Sequence, residues 1–407
     1  MERLLSAIKG NLRWFRESGV LSPPAGEWGV AERIVVLTGN EATEKILEEF
    51  PARTFHGDYA ILEHRRADCN FEAALMFLLA SDLLHGQEER RIAENLLDFL
   101  YFRSGLLNRN TKDVPPGTWN WASAFCGHNI WFDDNGWVAA IQILIGLRYP
   151  ELDRKYGCLE WGLRLARELL LGFDRAFNPA ADAETEIVND PQRVFLGKLS
   201  LPHWGIPPVC AFLAAYRVNG EPAYLAAVRR YAANLQRRLE GFNASELSYA
   251  LIGIPLAAKL FPEEPLFSQV ARQLADRLTG RMAVNKYGNL PSEHFEAPNG
   301  PYLVDTIYTA NWTLLGLVSL TGWLQAPEHL QAMHRLAQLL ADIQDASAHP
   351  AYCGCWRGLF DLEAQTWGGG DCFEGGAGSI YTGWTNAPIT IGLLLVQHEL
   401  SICDLLP

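Results

Sequence analysis

The chain has 407 residues, 49% of them hydrophobic, which is enough apolar material for a large core. A net charge of −13 at pH 7 argues against a nucleic-acid partner, which would need a basic face. No stretch approaches the ~20 consecutive apolar residues that cross a bilayer, and Met1 to Val20 has neither the apolar core nor the cleavage site of a secretory signal.

The expectation is therefore a soluble cytoplasmic protein with no membrane partner. Its eight cysteines, Cys69, Cys126, Cys158, Cys210, Cys353, Cys355, Cys372 and Cys403, are dispersed, as reduced thiols are in a large cytosolic chain. Cys353-Gly-Cys355 with the distant Cys372 lacks the second CxxC pair of a zinc ribbon, so no metal is expected, and no cofactor motif is present.

Almost every long segment has helical period, and alternating strand patterns are nearly absent. The first helix spans about Glu2–Ser18. Trp28–Arg53 reads as an N-terminal elaboration, roughly residues 20–55, in which the apolar run Ile34–Leu37 suits a strand. The cluster His64-Arg65-Arg66-Ala67-Asp68-Cys69-Asn70 follows. Its Arg forks suit a carboxylate or sugar hydroxyls as well as surface salt bridges.

From there the chain repeats a rhythm: an apolar helix, a short link and a more charged amphipathic helix. Ala67–Leu84 is followed by Gln87–Phe102. Asn135–Arg148 leads to Leu159–Phe173, and Pro207–Val218 leads to Pro222–Leu239. Glu246–Leu260 leads to Pro265–Thr279, and Thr306–Leu324 to Pro327–Ile343. Thr385–Asp404 closes the chain, with the N-terminal helix as its partner.

Helices apolar on most sides are buried, and amphipathic ones cover them. Six such pairs close into a double ring, an all-α (α/α)6 toroid, read as a single domain over residues 1–407. An open solenoid would have similar loops on both edges. Here the links into the apolar helices are mostly long (Gly105–Trp131, Asn178–Gly205, Gly280–Val304, Ala346–Gly383). They hold most of the Trp, His, Gly and Asn clusters, as on the decorated face of an enzyme barrel.

The sharpest cluster is Trp131-Phe132-Asp133-Asp134-Asn135-Gly136-Trp137, two carboxylates and an amide between aromatic rings at a helix start. Carboxylates serve proton transfer or attack at an acetal carbon, and rings stack on sugars. Trp119, Trp121, His128 and Asn129 precede it. His203-Trp204 stands before the third apolar helix and reads as a subsite wall. Before the fourth, Asn243, Ser245 and Glu246 read as plain capping. Before the fifth come Glu293, His294 and Glu296 in a Pro- and Gly-rich loop, then Tyr302, Asp305, Tyr308, Asn311 and Trp312. Before the sixth come Trp367, a glycine-rich stretch, Tyr381 and Trp384.

The hairpin rhythm resembles the six-hairpin (α/α)6 glycosidase superfamily, and the chain is also similar to unsaturated glucuronyl hydrolases. The Asp133-Asp134-Asn135 motif resembles the adjacent-Asp motif of bacterial α-1,6-mannanases. That resemblance implies one Asp as nucleophile and its neighbour as acid/base. Glu293 and Glu296 lie outside that pattern.

The expected activity is glycoside hydrolysis of an oligosaccharide or uronide in the loop-side cleft. Catalytic candidates are Asp133, Asp134, Glu293 and Glu296, with Glu293 the foremost loop acid. Arg65, Arg66 and His128 are candidates for a uronate carboxylate, and Asp68, Trp121, Asn135, His203, Trp204, His294, Tyr308, Trp367, Tyr381 and Trp384 for the rest of the sugar site. A lyase would instead pair Tyr308 or Tyr381 with His128 or His294. An epimerase would pair His203 with His294, and a non-catalytic scaffold would use the hairpins to bind protein.

Overall fold

The computed structural model describes residues 2–21, 23–39, 41–110, 112–123, 129–178, 195–293, 300–368 and 378–406. Six helices form an inner ring: α3 (Ala67–Leu84), α5 (Phe132–Arg148), α8 (Pro202–Asn219), α10 (Ala244–Leu260), α12 (Ala310–Trp323) and α14 (Ala387–Gln397). Each packs on the next, and α14 packs back on α3, so the ring is closed.

The outer layer is α1 (Glu2–Glu17), α4 (Gln87–Asp98), α7 (Cys158–Ala176), α9 (Pro222–Arg238), α11 (Pro265–Val284) and α13 (Pro327–Ile343). Each outer helix lies on one inner helix, with α1 on α14. The fold is the expected all-α (α/α)6 toroid.

Burial explains the two layers. In α3 every residue from Ala67 to Ala80 is buried, whereas α7 buries the stripe Leu165, Ala166, Leu169, Leu170 and Phe173 and leaves its other face wet. One apolar cluster runs continuously from Leu4 on α1 to Leu405 near the chain end.

Several boundaries differ from the sequence reading: α5 begins at Phe132 rather than Asn135, α11 runs to Val284 rather than Thr279, and α12 begins at Ala310 rather than Thr306. The third inner helix begins at Pro202, five residues before the expected Pro207, and carries Pro207 and Pro208 inside it. The link from α5 to α7 holds a seven-residue helix, α6 (Pro150–Tyr156). The last inner helix ends at Gln397, where Glu399 turns left-handed (φ 55°), and a 3-10 turn, Ile402–Leu405, follows.

Short strands decorate the end of the toroid where the inner helices start. β1 (Arg33–Val36) lies in the expected elaboration, which also holds α2 (Glu41–Glu49) and β2 (Arg53–His56). These join β3 (Tyr59–Leu62) and β7 (Ser379–Tyr381) in one sheet of order β2-β3-β1-β7, with Arg33 opposite Tyr381. A second sheet joins β4 (Leu303–Asp305), β5 (Leu359–Asp361) and β6 (Thr366–Trp367). The first sheet therefore fastens the N-terminal elaboration to the strand that leads into the last inner helix.

Candidate active site

The first turns of the inner helices converge on the toroid axis and carry acids at matching positions. From α3 come Asp68 and, one turn deeper, Glu72. From α5 come Asp133 and Asp134, and from α10 comes Glu246. A helix N-terminus favours negative charge, which suits acids in these turns. All five are buried.

Arg66 organises one side. Its guanidinium bonds Asp68 at 3.0 and 2.5 Å, Asp134 at 2.8 Å and Glu32 at 3.2 Å, and lies over the rings of Trp121 and Trp384. Glu32 also accepts from Arg33 at 3.0 Å. Burial would raise its carboxyl, but Arg33, His64 and Arg66 hold it down at about 2. The Trp384 indole N–H donates to Asp68 at 2.6 Å. Asp134, buried beside Asp68 with Arg66 opposing, is pushed well above the usual carboxylate range.

His203 and Glu246 form the opposite side. Glu246 Oε1 meets His203 Nδ1 at 2.6 Å, and Oε2 accepts from the His203 backbone N–H at 2.9 Å. Burial alone would lower this imidazole, but the Glu246 carboxylate and the more distant Asp133 raise it. Asn243 caps α10 by accepting from the Glu246 N–H at 2.9 Å, as expected. Glu246, read from sequence as part of that cap, orients the histidine.

Between the two sides lies Asp133. Its Oδ1 is buried with no hydrogen-bond partner among the described residues. Burial lifts its carboxyl to about 6 against the lowering fields of His203 and Arg66. Glu72 Oε2 and the Tyr249 hydroxyl are likewise buried and unpartnered among the described residues. Burial, with Asp68 and Asp133 adding to it, drives Glu72 well above the usual carboxylate range, so it is held protonated.

Aromatic rings floor the space. Trp137 and Trp312 stack at 5.5 Å, Tyr249 sits 4.8 Å from Trp312, and Trp384 meets Trp312 edge-on at 6.1 Å. Tyr308 meets Trp384 edge-on, and His203 lies 4.1 Å from Trp204.

Thus Arg66, Asp68, Asp133, Asp134, His203, Trp204, Tyr308 and Trp384 come together. Asn135 is committed elsewhere, pinning the preceding loop through both backbone groups of Trp119. Trp121 packs against Arg66 and His64. Arg65 is held by Glu63 at 2.5 Å and the Trp28 carbonyl. Both candidate uronate-binding guanidiniums are therefore already engaged by carboxylates.

Tyr381 is buried under the Arg33 guanidinium, and Trp367 packs edge-on against Phe360 in the second sheet. Glu293 accepts from Arg281 at 2.6 Å and from the Ala244 N–H at 2.9 Å, so it caps α10. Both bonds fall on Oε2, which is thereby directed to the scaffold. Glu296, His128, His294 and Cys372 lie outside the described residues.

Glu72, Tyr249, Glu32 and the dyad role of Glu246 were missed in sequence. For Glu72, Tyr249 and Glu246 the only signal is a polar side chain in the first turns of a helix otherwise apolar all round, and Glu32, just before β1, has no local signal.

The sequence matches no family model and no curated protein. The structure is similar to a D-mannose isomerase (11% identity, 98% of this chain and 97% of that chain, TM-score 0.61). It is similar to an unsaturated glucuronyl hydrolase specific for heparin (10% identity, 98% and 97%, TM-score 0.58). Cellobiose 2-epimerase from Bacillus thermoamylovorans B4167 also matches (12% identity, 82% and 88%, TM-score 0.58).

The chain shares the (α/α)6-toroid fold of these proteins. Hydrolases and sugar epimerases or isomerases share this toroid, so fold does not choose among their reactions. No helix among the described residues is long and apolar enough to cross a membrane.

Proposed function

We propose that this protein is an enzyme that hydrolyses a glycosidic bond in the cup at the N-terminal ends of the inner helices. One observation carries the reading. Asp133 is a buried carboxyl with a free oxygen and a pKa of about 6, adjacent to a second carboxyl, Glu72, that stays protonated. Environments that push two acids apart in this way supply a base and an acid at one pH.

In this mechanism Glu72 gives its proton to the leaving oxygen as the bond to the anomeric carbon breaks. Asp133, ionised above about pH 6, takes the proton of the attacking water. The proton then returns from Asp133 to Glu72 through solvent, so one water is consumed and the enzyme is restored. His203, fixed by Glu246, and the Arg66 network hold Asp133 between opposite charges. Trp312, Trp384 and Tyr308 offer apolar faces to a sugar ring. The described structural neighbours act on carbohydrates by their names, which supports a carbohydrate substrate.

The epimerase reading needs groups that take and return a proton at a carbon next to a carbonyl. Of the two expected histidines, His203 stands in the cup and His294 lies outside the described residues, while five carboxyls stand there: Asp68, Glu72, Asp133, Asp134 and Glu246. A cup this rich in carboxyls favours hydrolysis.

The test is a panel of nitrophenyl glycosides, uronides and oligosaccharides, run beside Asp133→Asn and Glu72→Gln. Reducing-end release is expected, with each variant lowering kcat by about 10²–10⁴-fold. An isomerised sugar carrying solvent deuterium, with no reducing-end release, would move the function to epimerisation.

A further inference from the structure

Directly beneath the carboxylates, the toroid axis holds a cavity of about 110 Å³. All six inner helices line it, through Leu75, Ile141, Ala214, Ile252, Leu315 and Ile391 among others. Among the described residues the only lining carboxyl is Glu72, beside Trp137 and Trp312. The far end is bounded by Ile402, Leu405 and Leu406 of the C-terminal turn.

Three properties separate this space from a packing fault. First, it lies on the axis, where six converging helices could meet with larger side chains, yet the wall there includes Ala140 and Ala214. Second, unfilled apolar volume costs stability, about 24 cal/mol per Å³, so a cavity of this size is a standing cost that an occupant would relieve. Third, it is continuous with the candidate active site: Glu72, Trp137 and Trp312 belong to both.

A polar occupant finds almost nothing to bond here below Glu72. Apolar cavities of this kind stay dry, and an engineered one of roughly 150 Å³ takes up benzene or xenon. The occupant is thus compact and apolar, about one ring or a short alkyl chain.

We propose that this cavity is the binding site for an apolar aglycone, so that the substrate is an alkyl or aryl glycoside rather than a purely sugar chain. The assignment rests on the hydrolase reading above. The sugar lies toward the loops among Trp384, Tyr308 and His203. The glycosidic oxygen sits at the level of Glu72 and Asp133, and the aglycone points down the axis. Glu72 is then the one polar group at the junction, where it would protonate the leaving oxygen as the apolar group departs.

The test has two arms. In the first, benzene is added to the full-length protein and Tm is followed with concentration. Wild type is expected to rise, and Ala214→Leu, which fills the cavity without touching the carboxylates, is expected not to respond. Ala140→Leu repeats the experiment should Ala214→Leu fail to fold.

In the second arm, kcat/KM is compared along a methyl, ethyl, propyl and butyl glycoside series. Wild type should gain about fourfold per methylene, the equivalent of ~0.8 kcal/mol each. The filled variant should lose that gradient, its kcat/KM staying flat from the methyl to the butyl glycoside.

A benzene-insensitive Tm in wild type overturns the proposal outright. Benzene binding with a flat alkyl series overturns the aglycone assignment and leaves an apolar site independent of the reaction. Benzene binding with no glycoside cleaved brings down the hydrolase reading, and the aglycone with it, while the cavity site stands.

Discussion

Asp133 is stabilised in its protonated form by the fold, and this has a cost that can be measured apart from catalysis. Its pKa of about 6 lies above the ordinary value of 3.8 because burial disfavours its charge. The folded state therefore holds the proton more tightly than the unfolded chain. That contribution to stability is complete below about pH 4 and disappears as pH rises through 6, a loss of roughly 3 kcal/mol. Asp133→Asn carries no charge to desolvate. Its Tm is expected to match wild type at pH 4 and exceed it at pH 8, as thermal scans at the two pH values would show. A variant more stable yet inactive is the signature of a strained working group.

His203 has the same sign for a different reason. Glu246 raises its pKa above the usual 6.5 despite burial, so the pair stabilises the fold at low pH and loses that effect as pH rises through the folded value. Glu246→Gln should lower the imidazole pKa, because burial is then opposed only by the field of Asp133. An NMR titration of the His203 ring proton reads this directly, and an unchanged midpoint would mean that Glu246 is not its partner in solution.

At the scale of elements, the contact between α5 and α8 fixes where Asp133 and His203 stand relative to each other. Gly136 is the reason the two helices approach so closely: a Cβ there would lie 2.4 Å from the Pro208 nitrogen and 2.5 Å from the Pro207 carbonyl carbon. Pro207 and Pro208 in turn withhold the i+4 donors from the carbonyls of His203 and Trp204, which loosens the first turn that carries the histidine. Gly136→Ala is expected to cost about 1–3 kcal/mol in urea unfolding, as overpacking does. It should also raise KM, because α8 must shift with its His203–Glu246 pair.

The same two prolines misplaced this helix start in sequence. A Pro-Pro step reads as a first turn, whereas here it lies a full turn inside. Most other helices were legible, because a segment apolar all round and a segment apolar on one stripe leave different patterns. Asp133 was legible because its neighbours are aromatic and it opens a helix. Glu72 and Tyr249 were hidden because they sit inside helices whose other residues are core. Glu32 was hidden for another reason. Its partner Arg66 is 34 positions away, and only the pairing of β1 with β3 and β7 brings them together.

For the whole molecule, the decisive seam is the one that closes the ring. Asn11 on α1 donates to the Gly354 carbonyl at 2.9 Å and to Asn386 at 2.7 Å, and accepts from the Thr390 hydroxyl at 2.8 Å. Nearby, the Trp14 indole donates to the Ala351 carbonyl at 2.8 Å. Asn11→Ala would take the acceptor from the buried Thr390 hydroxyl, while the Gly354 carbonyl keeps the Gln344 amide and Asn386 Oδ1 keeps the Trp356 N–H. A loss of about 1–3 kcal/mol is expected in chemical denaturation, the cost of one buried group left unsatisfied. A change under 1 kcal/mol would mean that water replaces the amide at the seam. The toroid was legible as six pairs, but not the chemistry of its closure, because hydrogen bonds between residues some 340–380 positions apart leave no local pattern.

That seam also sets the order in which the protein can be finished. On the ribosome α1 is made before its partners on α13 and α14, which emerge more than three hundred residues later. At ~5–20 residues per second, the delay is on the order of half a minute or more. Throughout it the face carrying Leu4, Ile8 and Leu12 lacks its α13 and α14 cover, although Phe15 can already meet Phe77 of α3. That helix waits through most of synthesis for the partners that complete the toroid.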